Sequence, residues 1–228
     1  MIRYVLLDLD DTILDFKRSE AEGLRKTLRQ FGIEPTDAIV ARYSVINDAQ
    51  WKLLELGKLT RFEVKRRRFT ILFDELGVAC DADAVWRCYE KALSENHFFF
   101  EGAEEFLSCM EGKYRMYIVS NGTTSVQNGR IASAGIAHYF EGIFLSEALG
   151  CVKPQKEFFD ACFAEIPDFD ASQAIILGDS LTSDVQGGIN AGIRTCWFNP
   201  RGQAARADIC PDFEVRTLAQ FAELLETL

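Results

Sequence analysis

Residues 2 to 8, Ile-Arg-Tyr-Val-Leu-Leu-Asp, read as a largely buried strand, and no convincing second strand follows until residue 114. A strand cannot persist alone, because its backbone N–H and C=O groups need partners. The partners of this one must therefore come from the second half of the chain, and everything between is an excursion.

The excursion is helical throughout. Ser19 to Glu22 forms a capping-box pattern, followed by Ala21, Leu24, Leu28 and Phe31 at helical spacing and by Gly32 as a stop. A second helical pattern runs from Thr36 to Leu56 and halts at Gly57. Thr60 to Glu63 is another capping box, and the helix it opens carries Phe69, Leu72 and Leu76 before Gly77. A fourth pattern covers Asp81 to Glu95. Four successive helices predict a small bundle over residues 16–97.

From Phe98 the texture alternates. Helices are expected at 101–111, 123–134, 182–191 and from Thr217, with a further helix whose first turn holds Pro154. Strands are expected at 114–120, 142–145, 174–178, 193–198 and 213–215. Strands alternating with helices predict a doubly wound parallel sheet, an α/β fold. Residues 1–15 and 98–228 thus form one core domain, and 16–97 an inserted all-helical subdomain whose two connections act as hinges.

Composition narrows the partners. The chain has 228 residues and a formal charge of −10, which argues against a nucleic-acid polymer, since such binding neutralises phosphates with cationic side chains. The one basic run, Lys65-Arg66-Arg67-Arg68, lies inside a helical pattern and reads as a solvated helix face, with phosphate steering as the sharper alternative. No apolar run reaches the about eighteen residues of a membrane helix, and the N-terminal residues lack a secretory pattern. The seven cysteines include no C-x-x-C pair and read as reduced thiols. We therefore expect a cytoplasmic protein, monomeric or dimeric, with no membrane partner. His97 and His138 receive no role.

In open parallel sheets, ligands bind outside the carboxyl ends of the strands. Those ends deliver Asp8, Asp10 and Thr12 from the first strand and Ser120-Asn121-Gly122 from the second. Lys153 follows the third, and Gly178-Asp179-Ser180 with Asp184 the fourth. Carboxylates so crowded need a cation, and Mg²⁺ suits oxygen ligands and a phosphate. The expected ligands are Asp8, the Asp10 backbone carbonyl and Asp179. Asp8 can then attack phosphorus, and Asp10 can serve as acid and base. Ser120, Lys153, the backbone N–H of Asn121 and Thr12 are grouped as phosphate donors, with backbone amides around Leu9 and Asp10, although Thr12 alternatively holds the turn around Asp8. Asp184 and Ser180 support them. Asp11 and Asp15 read as bystanders, the first solvent-facing. In the bundle, Trp51 and Phe16 are candidate substrate contacts, while Tyr43, Phe62, Trp86 and Tyr89 more readily fill a core.

The runs D-L-D-D-T (8–12), S-N-G (120–122), K-P (153–154) and G-D-S-L-T-S-D (178–184) resemble the four motifs of the haloacid dehalogenase-like (HAD) hydrolase superfamily. The resemblance implies a Rossmann-like core, Mg²⁺ and an Asp nucleophile, with residues 16–97 as the family's helical cap. Dehalogenases of that superfamily lack an acid two residues after the nucleophile, so Asp10 favours phosphate chemistry. Residues 183–199 together with Trp51 resemble the non-canonical pyrimidine 5′-nucleotidases, which implies a nucleoside monophosphate as the small phosphorylated substrate. A sugar-phosphate phosphatase or a phosphomutase remains an alternative on the same core. A phospho-acceptor signalling receiver carries similar residues, but there the acids come early and the phosphorylated Asp follows a middle strand.

Overall fold

The computed structural model describes residues 1–228. After β1 (Tyr4–Leu7) come α1 (Phe16–Gln30), α2 (Asp37–Glu55), α3 (Arg61–Leu76), α4 (Ala82–Ser94) and α5 (Ala103–Met110) before β2 (Arg115–Ser120). The rest alternates: α6 (Thr124–Ala134), β3 (Gly142–Leu145), α7 (Ser146–Leu149), α8 (Lys156–Glu165), β4 (Ala174–Gly178), α9 (Gln186–Ala191), β5 (Arg194–Phe198), β6 (Phe213–Val215) and α10 (Leu218–Thr227). One π-type turn, Leu181–Val185, leads into α9.

The strands form one six-stranded sheet in the order β3-β2-β1-β4-β5-β6, with every neighbouring pair parallel. β1 is central: Leu6 is level with Tyr117 on one side and Ile176 on the other. Side chains alternate across a sheet, so Tyr4, Leu6, Tyr117, Val119 and Ile176 share one face, where they cluster with Phe158, Phe159 and Cys162 of α8. The alternate set, Val5, Leu7, Met116, Ile118, Ile175 and Leu177, is equally buried. Burial on both faces explains why these strands read as unbroken apolar runs. The chain fills one side of β1 and then returns to fill the other, so the order reverses between β1 and β4. That reversal opens a crevice at their carboxyl ends.

The chain divides into two compact units, residues 1–15, 98–127 and 135–228 in one and residues 16–97 with 128–134 in the other. The second therefore takes in most of α6, a segment expected with the sheet. Gly129 explains this, since a Cβ there would lie 2.6 Å from the Ser94 carbonyl, a backbone approach only glycine allows. The core of the helical unit is aromatic: Tyr43, Phe69 and Tyr89 are fully buried, with ring centroids 5.1–5.5 Å apart.

Local signals differ in outcome. Thr60 and Glu63 form their capping box at the start of α3, and Gly77 closes that helix in the left-handed conformation. Ser19, by contrast, lies inside α1, which begins at Phe16, and its hydroxyl is buried beside Arg130. Pro154 stands before α8, not in its first turn, because Gln155 is still extended. The segments that leave and re-enter the sheet unit are zipped together: the Asp15 N–H donates to Phe98 O at 2.8 Å, the Phe100 N–H donates to Ile13 O at 2.9 Å, and Leu14 bridges Phe99.

Because β1 is shared by both halves of the sheet, Leu6→Ala should cost about 2–5 kcal/mol, whereas Thr60→Ala, which removes only a cap, should cost about 1 kcal/mol. Urea denaturation of the two variants checks the ranking, and equal losses would contradict it.

Candidate active site

Asp8 follows directly on β1, and its N–H continues the ladder by donating to Leu177 O at 2.9 Å. The chain then curls tightly: the Leu9 carbonyl accepts from Ile13 and Leu14 at 3.0 and 2.8 Å, and the Asp11 N–H donates to Leu14 O at 2.7 Å. This curl holds Asp11 at φ 58°, a left-handed conformation that Asp tolerates better than most residues. Its side chain is only 12% exposed and lies 3.8 Å from Arg201. Asp11 is therefore not the solvent-facing bystander expected, because the curl turns it toward the loop after β5.

Lys153 is the centre of the site. It is 1% exposed, and its ammonium donates to Asp8 Oδ1 at 2.7 Å, Asp184 Oδ1 at 2.6 Å and the Val119 carbonyl at 2.7 Å. An ammonium has three hydrogens, so this lysine, grouped by sequence with the phosphate donors, has each of them directed at the protein. Its backbone is fixed as firmly. Asn121 donates to Lys153 O and accepts from Lys153 N–H, both at 2.9 Å. The Asn121 side chain thus pins the lysine loop. Thr12 follows its alternative reading, the turn around Asp8, being wholly buried and donating to Asp8 Oδ2 at 3.2 Å.

Asp184 accepts from Ser180 N–H at 3.1 Å through its other oxygen. It reaches this position because Gly178 has no side chain: a Cβ there would lie 2.3 Å from the Asp184 carboxylate. Ser180 caps the π-type turn by accepting from Ser183 N–H at 3.2 Å. Asp179 anchors the same segment, its carbonyl accepting from Trp197 Nε1 at 2.8 Å.

Ser120 ends β2 with its hydroxyl accepting from Gly122 N–H at 3.1 Å. Gln127, which drew no notice in the sequence, donates from Nε2 to Ser120 Oγ at 2.8 Å and to Asp10 Oδ2 at 2.7 Å. A glutamine in the first turns of a helix carries no signal by itself. Its position after Ser-Asn-Gly is the one clue available.

Four strand-end or loop segments thus bring Asp8, Asp10, Ser120, Lys153, Asp179 and Asp184 to one edge of the sheet. The sequence pattern of haloacid dehalogenase-like hydrolases matches residues 5–198. The chain belongs to that family. Among its relatives, YfnB of Bacillus subtilis, named as a HAD-hydrolase, is 39% identical, covering 98% of this chain and 95% of its own. A crystal structure of YfnB bound to magnesium, described as revealing interdomain movement, superposes with a TM-score of 0.94, covering 98% of both chains. The pyrimidine 5′-nucleotidase PynA of Streptococcus pneumoniae is 35% identical over 98% of this chain and 95% of its own. The pyrimidine 5′-nucleotidase YjjG of Escherichia coli is 27% identical over 97% of each.

The electrostatics of this HAD-family site favour a cation. Burial pushes the Asp8 carboxyl up to about 7, with Asp184 and Asp10 adding to the rise and Lys153 opposing it. Asp179 is held well above the usual carboxylate range, first by burial and then by Asp8, Asp184 and Asp11, with Lys153 offsetting least. Burial works against the Lys153 charge, but Asp184 and Asp8 outweigh it and hold the ammonium above its ordinary pKa. Carboxylate oxygens of Asp8, Asp179 and Asp184 lie within 4.8 Å of one another. One buried lysine among these acids leaves the group short of positive charge, so the residues fit a divalent ion.

The remaining sequence candidates belong to the helical unit. Trp51 donates from its ring to Asn47 Oδ1 at 3.1 Å, with the Arg61 guanidinium 5.6 Å above the ring. Phe16 begins α1 with Arg130 5.5 Å over its ring. Tyr43 and Tyr89 are core, whereas Phe62 is 58% exposed. The basic run is only partly a solvated face. Lys65 and Arg68 point inward at helical spacing, where Lys65 lies 3.2 Å from Glu90 and Arg68 donates to Asn47 Oδ1 at 2.9 Å.

A pH dependence follows. Between the ordinary Asp value of 3.8 and about 7, the unfolded chain ionises Asp8 while the metal-free folded chain keeps it protonated. The folded state then binds more protons, so stability falls as pH rises through this window. A divalent ion needs the ionised carboxylate and should reverse the trend. Tm with chelator should fall from pH 5 to 7.5, by about 2–4 °C for each kcal/mol lost, and added Mg²⁺ should raise it more at pH 7.5 than at pH 5. Calorimetric scans showing no metal effect at either pH would refute this.

Proposed function

We propose that the chain is a Mg²⁺-dependent phosphomonoester hydrolase working through an aspartyl-phosphate on Asp8, with nucleoside 5′-monophosphates as substrates. The observation that carries the reading is Asp8 itself, a buried carboxylate at the crevice, fixed by Lys153 on one oxygen and Thr12 on the other, with Asp10 two residues on. The two relatives named pyrimidine 5′-nucleotidases support the substrate class.

Asp8, Asp179 and the Asp10 carbonyl would hold the ion, which would offset the charge of the carboxylates and of the incoming phosphate. Asp184 stays in support, since one of its oxygens serves Lys153 and the other Ser180. A carboxylate oxygen of Asp8 attacks phosphorus, and the ester P–O bond breaks with its electron pair moving to the leaving oxygen. Asp10 gives that oxygen its proton. Asp10 then removes a proton from water, whose oxygen attacks phosphorus and breaks the bond to Asp8. Inorganic phosphate leaves and both aspartates regain their starting states. Lys153 acts through Asp8, holding its carboxylate in line and balancing charge where phosphate negative charge redistributes. Ser120 donates its hydroxyl hydrogen to a phosphoryl oxygen. By the family resemblance we assign residues 16–97 the role of a cap, with Trp51 and Phe16 as its candidate substrate contacts.

Phosphate release from a panel of nucleotides and sugar phosphates tests the reading. Asp8→Asn should abolish turnover, and Asp10→Asn should reduce kcat on nucleotides by about 10²–10⁴. Undiminished turnover in the Asp8 variant would discard the mechanism. Preferred release from sugar phosphates would discard the substrate class, and transfer to a second hydroxyl without net release would make the enzyme a mutase.

A further inference from the structure

Gln127 is 1% exposed and joins two segments that the chain separates widely. Its side-chain nitrogen reaches Asp10 Oδ2 in the loop after β1 and Ser120 Oγ at the end of β2, at 2.7 and 2.8 Å. An amide nitrogen has two hydrogens, and the two contacts give each a direction. The site is shaped around this side chain. A Cβ on residue 122 would stand 2.4 Å from Gln127 Nε2 and 2.6 Å from its Cγ, so the turn after β2 must carry glycine for Gln127 to lie where it does.

These contacts settle which way two polar groups face. A hydroxyl oxygen offers two lone pairs and one hydrogen. Ser120 Oγ receives Gly122 N–H and Gln127 Nε2, so both lone pairs are engaged and the hydroxyl is left as a donor. On Asp10, an N–H directed at Oδ2 favours Oδ1 as the oxygen that carries an exchangeable proton. An amide with its oxygen turned the other way would set lone pairs against a carboxylate, so the donor orientation is the one the partners require.

We propose that Gln127 is a positioning residue that orients the Asp10 carboxyl toward the leaving oxygen, using Ser120 as its fixed point. This rests on the reading of Asp10 as the proton donor. Gln127 acts through its two partners, Asp10 and Ser120. Its contribution is to the geometry of proton transfer, so its loss should matter in proportion to how much the leaving group needs a proton. An alkoxide departing from a nucleoside 5′-monophosphate needs one, whereas the p-nitrophenolate ion is stable without it.

The test uses the full chain with Mg²⁺ and measures single-turnover release of the leaving group from a nucleoside 5′-monophosphate and from p-nitrophenyl phosphate. Gln127→Met keeps length and bulk but donates nothing. The ratio of nucleotide to p-nitrophenyl rates should fall at least about tenfold relative to wild type, a part of the roughly 10²–10⁴ that general-acid catalysis supplies. Gln127→Glu, which keeps the shape and sets a second acceptor against Asp10, should shift the ratio in the same direction and serves if the Met variant does not fold. An unchanged ratio in the folded variant, whether both rates hold or fall together, overturns the proposal and leaves Gln127 a structural tie. Asp10→Asn separates the two levels. If it shifts the ratio and the Gln127 variants do not, the positioning role alone fails. If it leaves the ratio unchanged, the reading of Asp10 fails and takes the positioning role with it.

Discussion

One buried ammonium holds the carboxyl end of this sheet together. Lys153 donates to a carboxylate after β1, a carbonyl within β2 and a carboxylate beyond β4, so a single side chain fixes the spacing of three strand ends. It is screened from water, and removing one member of a buried ion group costs about 3–5 kcal/mol because the remaining charges lose their counterpart. The pieces around it are arranged to keep it there. Asn121 clamps its backbone from both sides, and Gly178 gives Asp184 room to approach.

The same network explains why a site so crowded with acids is compatible with folding. Lys153 serves Asp8 and Asp184, while Asp179 remains opposed by burial and by its neighbours. The site is therefore electrostatically incomplete as a piece of protein, and a divalent ion would supply what it lacks. Rigidity and incompleteness belong together here. Oxygen ligands held apart by a fixed frame can wait for a cation, whereas mobile ones would turn toward water or toward each other.

Much of this was legible because its signals are local or periodic. The run at residues 2–8 needs cover on both faces and thus a central place in a parallel sheet, and carboxyl ends of such strands are where polar residues gather. Legibility failed where direction mattered. The turn-holding role of Thr12 is among the readings open in the sequence, but the side chains of Asn121 and Lys153 at the right strand ends bond inward, which only the three-dimensional arrangement of partners reveals. Gln127 escaped because its partners are brought to it by the sheet and not by neighbouring sequence. Charge was also misleading in the helical unit. Lys65 and Arg68 occupy inward positions because Glu90 and Asn47 offer partners there, which a basic run in a one-dimensional sequence cannot disclose.

The zipped segments at residues 13–15 and 98–100 have a consequence for how such proteins diversify. Backbone hydrogen bonds already join the two ends of the insertion, so the entropy of closing the loop is met at its base. Further length adds only slowly to that cost, by about 0.6 kcal/mol for each doubling. Loop-closure entropy therefore sets little limit on the length of the helical block at this point, whereas its packing on residues 128–134 constrains which side chains it can carry. Length can thus be added within the insertion while the hydrogen bonds at its base stay as they are.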